Sequence, residues 1–100
     1  MFVAVYKYAM PADKTKKYVD LEKQAIQIYV EHGCLGVEIY RDAKDPRKWM
    51  EINRYKDRAH YNEVMEAVDG DPKIRSLLQE FIKLFEEGQP PEKGTYYRMI

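Results

Sequence analysis

The stretch Gly33 to Asp57, GCLGVEIYRDAKDPRKWMEINRYKD, orders the whole chain. It reads as a helix stop, a strand, a hairpin, a second strand and the cap of a new helix. Gly33 lets the preceding helix end at positive φ, and Asp42 to Arg47 (DAKDPR) supply turn chemistry between two segments of period two. Asp57 can accept hydrogen bonds from the free N–H groups of the helix that follows. Along the two strands, Val37, Ile39, Met50 and Ile52 group on one set of faces, with Glu38, Tyr40, Trp49, Glu51, Asn53 and Tyr55 on the other.

Working outward, Phe2 to Met10 is rich in β-branched and aromatic residues and stops at Pro11, as a strand covered on both faces would. Ala4, Tyr6 and Tyr8 point one way, and Val3, Val5 and Lys7 the other. From Asp13 the period changes. Tyr18, Leu21, Ala25, Ile28, Tyr29 and His32 recur at helical spacing, widened by Val19, Ile26 and Val30, opposite a solvated face of Asp20, Lys23, Gln24, Gln27 and Glu31. After Asp57, Tyr61, Val64, Met65 and Val68 follow i, i+3, i+4 and i+7 until Asp69-Gly70-Asp71-Pro72 breaks the pattern. Asp71 is placed to cap a third helix and Pro72 suits its first position; Ile74, Leu77, Leu78, Phe81 and Phe85 form its buried stripe until Gly88. Gln89 to Gly94 reads as a loop and Thr95 to Ile100 as a last strand.

The sum is an α+β, ferredoxin-like order, β-α-β-β-α(α)-β, around a four-stranded antiparallel sheet. Helices on one side leave the opposite sheet face bare, and the simplest cover is a second copy, so two chains are expected to pair as a dimeric α/β barrel. A chain of 100 residues, 45% hydrophobic and 34% charged, supports a single domain over residues 1–100. Lysines plus arginines and aspartates plus glutamates number 17 each, so no net field attracts nucleic acid, and no basic run with interleaved aromatics exists. No apolar run approaches the roughly 18 residues of a membrane span, and MFVAVYKYAM lacks a basic n-region and a cleavage site. With Cys34 the single cysteine, a reducing, cytoplasmic setting is expected. The spacings C-x₂-C, H-x₃-H, G-x-G-x-x-G and G-x₄-G-K are absent, so the expected cofactors are none: no metal, flavin or nicotinamide.

Gly33-Cys34-Leu35-Gly36-Val37-Glu38-Ile39-Tyr40-Arg41-Asp42, Asp45-Pro46 and Met50 to Arg58 together resemble the antibiotic biosynthesis monooxygenase-like family of dimeric α+β barrels, as does Pro72 to Leu78 before the last helix. The resemblance covers nearly the whole chain and implies the fold and a homodimer. For function it implies a small cofactor-independent oxidoreductase, monooxygenase-like, or an isomerase, acting on an aromatic or dicarbonyl metabolite between sheet and helices. The alternative is a non-catalytic dimeric binding or scaffolding module of the same fold. Haem-degrading relatives carry an asparagine on the first strand and a tryptophan on the helix after the hairpin; this chain has Tyr6 and Val64 there, so haem degradation is not expected.

Oxygenation without a cofactor requires an electron-rich substrate anion, hence a base, hydrogen-bond donors for the developing oxyanion and a dry cavity. His60, in the first turn after Asp57 and about 40° around the helix from Val64, is the candidate base, with Tyr6 orienting the substrate oxygen. The ordinary reading of His60 is a half-exposed surface histidine. Tyr8, Val64, Trp49 and Asn53 are the candidate substrate contacts, although aromatic residues on a sheet face more often serve packing. Trp49, Glu51 and Asn53 with Glu38 and Tyr40 make a polar constellation that lysines or arginines of a partner subunit would equally explain. His32 reads as structural at a helix C-terminus. Cys34 follows a helix end, where nothing activates a thiol. An enclosed pocket of about 300 Å³ or more touching Tyr6 or His60 would favour the enzyme over the module.

Overall fold

The first strand becomes the spine of the sheet because both long-range partners pair with it. A computed structural model describes residues 1–85 and 89–100. Its elements are β1 (Phe2–Ala9), a single 3₁₀ turn (Ala12–Lys14), α1 (Thr15–Glu31), β2 (Gly36–Arg41), β3 (Lys48–Tyr55), α2 (Arg58–Asp69), α3 (Pro72–Ile82) and β4 (Glu92–Tyr97). All strand pairs are antiparallel, in the order β2-β3-β1-β4, which is the ferredoxin-like arrangement. Phe2 faces Tyr55 on one side and Tyr97 on the other.

That register settles which side chains share a face, and it corrects the grouping of the hairpin. Tyr6 lies opposite Glu51, and Glu51 opposite Ile39; Ala4 lies opposite Asn53, and Asn53 opposite Val37. The face shared with Ala4, Tyr6 and Tyr8 therefore carries Val37 and Ile39 together with Trp49, Glu51, Asn53 and Tyr55. Met50 and Ile52 instead share the opposite face with Glu38, Tyr40, Val3 and Val5. Grouping by hydrophobicity fails here because both faces of the central strands hold apolar side chains. The last strand also differs from expectation, starting at Glu92 and ending at Tyr97. Its charged Glu-Lys opening suits an edge strand, where one row of backbone groups meets water. The third helix ends at Ile82, and its expected stop at Gly88 lies outside the described residues.

Local chemistry explains the joints. Gly33 adopts φ 108° and its N–H donates to the Val30 carbonyl at 3.0 Å, while the Cys34 N–H reaches the Tyr29 carbonyl at 3.0 Å, closing α1. Asp42 Oδ1 accepts from the N–H groups of Lys44 and Asp45 at 2.8 and 2.9 Å, which folds the hairpin turn. Asp57 caps α2 by accepting from the His60 N–H at 2.8 Å. Asp71 caps α3 through the Lys73 N–H at 2.9 Å, with Pro72 at the first helical position. The other Asp71 oxygen meets His32 Nε2 at 2.9 Å, so the end of α1 is clasped to the start of α3. That contact with His32, helped by the Lys73 N–H, holds the Asp71 carboxyl below its ordinary range.

The helices cover one sheet face, and Phe2, Met10, Tyr18, Leu21, Ile28, Tyr55, Val64, Val68, Ile74 and Phe81 are buried between the layers. On the other face Val3, Val5, Met50 and Ile52 are only half-buried. There Arg54 and the Tyr40 hydroxyl both donate to Glu38. No helix among the described residues is long and apolar enough to cross a membrane.

At Gly33 a β-carbon would meet His60 Nε2 and Val64 Cγ2 at 3.5 Å each, ordinary contact distances, so the obstacle to substitution is the backbone. Gly33→Ala is expected to lower stability by about 1–2 kcal/mol, with Gly33→Asn milder; urea denaturation of both variants measures the difference.

Candidate active site

Two sheet periodicities and one helix periodicity converge on a small chamber. On β1 the period of two aims Tyr6 and Tyr8 at the helices; on β3 it does the same for Glu51 and Asn53. On α1, Glu22, Ala25 and Tyr29 follow Tyr18 at i+4, i+7 and i+11, so a carboxylate stands in the middle of the buried stripe. Ala25, small where the rest of the stripe is large, leaves space over the sheet. The result is a cavity of about 250 Å³. Tyr6, Tyr8, Tyr29 and Val37 form its walls, Glu22, Glu51 and Asn53 its polar end, and α3 closes it with Ile74, Leu78, Phe81 and Ile82.

Glu22 and Glu51 stand close enough to influence each other inside this chamber. Removal from water, then the neighbouring Glu51 charge, pushes the Glu22 carboxyl up to about 9. Burial raises Glu51 as well, while the contact with Glu22 opposes that rise. Two buried carboxyls side by side resist ionising together, and Glu22 is protonated at neutral pH. Burial also raises the phenols of Tyr6, Tyr8 and Tyr29, which stay protonated and able to donate. The Tyr8 hydroxyl is already engaged with that of Tyr18. Behind Tyr6, Lys93 stands 5.4 Å from the ring centroid and donates to the Tyr61 hydroxyl.

Asn53 is the conspicuous group. It is 1% exposed and lies close enough to Glu51 and Tyr55 to bias their protonation, and yet neither its Nδ2 nor its Oδ1 has a hydrogen-bond partner among the described residues. Buried polar side chains are nearly always paired, so an unpaired carboxamide on a cavity wall marks where something else binds.

Of the residues singled out in the sequence, Tyr6, Tyr8 and Asn53 line this cavity. His60 does not. Its Nδ1 accepts the Lys56 N–H at 2.9 Å and its ring packs edge-on against Tyr55 at 5.9 Å, so the imidazole serves the β3–α2 corner rather than the chamber. Tyr6 and His60 are thus not brought together. Val64, 2% exposed, belongs to the packed core and does not line this cavity. Trp49 stacks on Tyr18 with ring centroids 4.7 Å apart and lines a separate, broader cleft of about 740 Å³ at the hairpin end, beside Lys7, Tyr40 and Arg41. The polar constellation divides between faces: outside, Glu38 accepts from Tyr40 and from Arg54 of the same chain, and inside, Glu51 stands beside Glu22. Cys34 is buried, its thiol directed at the Gly36 and Arg54 carbonyls. Sequence reasoning missed Glu22, although a lone acidic residue spaced i+4 from Tyr18 and i−3 from Ala25 was visible there.

Solved structures share the whole architecture. An Agrobacterium tumefaciens protein, Atu4242, is 17% identical, with 97% of this chain and 92% of that one aligned at a TM-score of 0.79. SnoaB of Streptomyces nogalater, a cofactor-independent oxygenase crystallised as a mutant, is 9% identical, with 99% and 93% aligned at 0.77. An uncharacterized NIPSNAP domain protein of Burkholderia xenovorans is 15% identical, with 98% and 94% aligned at 0.77. At such identities the likeness is one of fold. No curated protein matches the chain. Residues 1–67, however, match the antibiotic biosynthesis monooxygenase family, a span that takes in β1, α1, the hairpin and most of α2, and with them the cavity's polar and phenolic groups, Tyr6, Tyr8, Glu22, Tyr29, Glu51 and Asn53. Since sequence and fold agree over two thirds of its length, the chain belongs to the antibiotic biosynthesis monooxygenase family.

Proposed function

We propose that this chain is a small cofactor-independent oxidoreductase, monooxygenase-like, or an isomerase, acting on an aromatic or dicarbonyl metabolite in the cavity between the sheet and α1 and α3. The buried Glu22–Glu51 pair on the cavity wall is the observation that carries this reading. A carboxylate raised toward neutrality by burial is better matched to an enol, phenol or activated C–H than an exposed glutamate would be. Glu51 takes the substrate proton, Glu22 remains protonated and steadies the pair, and Tyr6 donates to the oxygen where negative charge develops. The anion so formed is electron-rich enough to react with dioxygen directly; returned a proton at a different carbon, it would instead be isomerised. The base assigned to His60 passes to Glu51, because the imidazole faces away from the chamber.

A non-catalytic small-molecule-binding or scaffolding module is the second reading. Its scaffolding form is favoured by the cavity volume, about 250 Å³, which falls just below the roughly 300 Å³ at which small-molecule sites usually begin. The whole chain acts as one domain, in a cytoplasmic setting suited to its single buried thiol. A second copy covers the face of Val3, Val5, Met50 and Ile52, forming a homodimer.

Oxygen uptake and product spectra with a panel of monocyclic quinols and β-dicarbonyls test the chemistry. Glu51→Gln should lower the rate by about 10²–10⁴-fold, while His60→Ala leaves it within a few-fold; the reverse ranking would return the base to His60, and full activity in both would leave the binding module ahead.

Stability should report the same pair. A carboxyl whose folded-state value is raised to about 9 binds more protons folded than unfolded, so its contribution is complete below its ordinary value of 4.5 and is lost as pH rises toward 9. Melting temperature should therefore fall between pH 5 and pH 9, the unfolding free energy dropping by at most roughly 1.4 kcal/mol per pH unit for that proton, and Glu22→Gln should flatten that fall. A slope unchanged in Glu22→Gln would place the responsible proton elsewhere.

Light scattering at micromolar concentration should give the mass of two chains, and Ile52→Asp should give one chain with native circular dichroism. A monomeric wild type would remove the second copy from the reading.

A further inference from the structure

The unpaired carboxamide of Asn53 says more about the ligand than that one exists. A primary amide offers one donor and one acceptor side by side in a plane, and both are vacant here while the residue is 1% exposed. Which way round the amide is turned does not alter this, since neither end is engaged. A ligand that offered only an acceptor would pair Nδ2 and leave Oδ1 dry; one that offered only a donor would do the converse.

Charge narrows the class further. Among the described residues lining the cavity there is no lysine, arginine or histidine, whereas two carboxyl groups, Glu22 and Glu51, stand in it. The nearby cation, Lys93, meets the ring of Tyr6 and the hydroxyl of Tyr61 without lining the chamber. A carboxylate or phosphate would find no counter-charge there to receive it. An ammonium would find aromatic walls, but it has no acceptor for the Asn53 amide N–H. The remaining walls are apolar, with Leu78 and Ile82 exposed on α3, and the volume suits one ring rather than several.

We propose that the cavity selects uncharged, one-ring ligands with a hydrogen-bond acceptor and donor on adjacent positions, the edge offered by a cyclic amide or an enolised dicarbonyl, with Asn53 making both contacts. This rests on the chamber being the ligand site, as proposed above, but not on any reaction taking place there. Glu51 stands beside the same edge, so the donor that Asn53 Oδ1 accepts is also the proton nearest to the acidic pair.

Calorimetric titration of the full chain with 2-pyridone, N-methyl-2-pyridone, benzoate and benzylammonium separates the possibilities. The expected order is 2-pyridone bound at one per chain, with N-methyl-2-pyridone, which lacks the donor, and benzoate, which adds the charge, each weaker by at least about tenfold. Equal binding of 2-pyridone and its N-methyl derivative, tighter binding of benzoate or benzylammonium, or no 2-pyridone binding at millimolar concentration overturns the inference. Asn53→Leu, checked by its melting curve, should lose the 2-pyridone preference; full retention in a folded variant also overturns it. If that variant fails to fold, the wild-type series decides alone. Loss of this binding order with Glu51-dependent oxygen uptake intact would refute the ligand class and leave the proposed reaction standing; the converse would leave a selective binding site without catalysis.

Discussion

The antiparallel register between β1 and β3 is the constraint on which everything else hangs. It sets Tyr6 against Glu51 and Ala4 against Asn53 on the face under the helices. Because side chains alternate with a period of two, a slip of one residue on β3 would bring Met50 and Ile52 under α1 and send Glu51 and Asn53 to the opposite face. The chamber would then be filled and apolar, and Glu22 would have no partner. Aromatic residues at both ends of the inner row, Tyr8 with Trp49 and Phe2 with Tyr55, oppose that slip, since each is packed against the helical layer or another ring.

Holding two carboxyl groups together in such a place works against stability, and the surroundings show how the conflict is contained. Burial raises both carboxyls, and the protonation this favours relieves the like-charge repulsion. Three of the lining residues, Tyr6, Tyr8 and Tyr29, are phenols, so dipoles remain available among the apolar side chains. The clasp between His32 and Asp71 sits outside the chamber and ties α1, which carries Glu22, to α3, which closes the roof. The two helices that bound the acidic pair are thereby joined at one end by a polar contact as well as by their packing.

Much of the fold was legible because its signals are local. Gly33, Asp57, Asp71 and Pro72 each act within a turn of their own position, and each behaves in the structure as its chemistry dictates. The start of β4 was not legible, because Glu92 and Lys93 gain strand geometry only by pairing with Lys7 and Tyr6, more than eighty residues away. The site divides in the same manner. Tyr6, Tyr8 and Asn53 stand out from strand alternation alone. The orientation of His60 depends on a hydrogen bond to its own helix entrance, and the worth of Glu22 depends on a strand opposite it, neither of which periodicity reports.

Among the described residues, the hairpin joining β2 to β3 is the only strand pair whose members are neighbours in the chain. Every other pairing runs through β1, to β3 about forty residues on and to β4 about ninety. Closing long loops costs entropy before any contact repays it, so folding is expected to begin at the hairpin and to finish where β1 accepts β4. Two consequences follow for the chamber. It has no floor until the first strand docks, so no early compact state can bind a ligand there. A ligand held by Tyr6 and Asn53 would oppose undocking of that strand, making the rate of unfolding, more than the rate of folding, the quantity that binding changes.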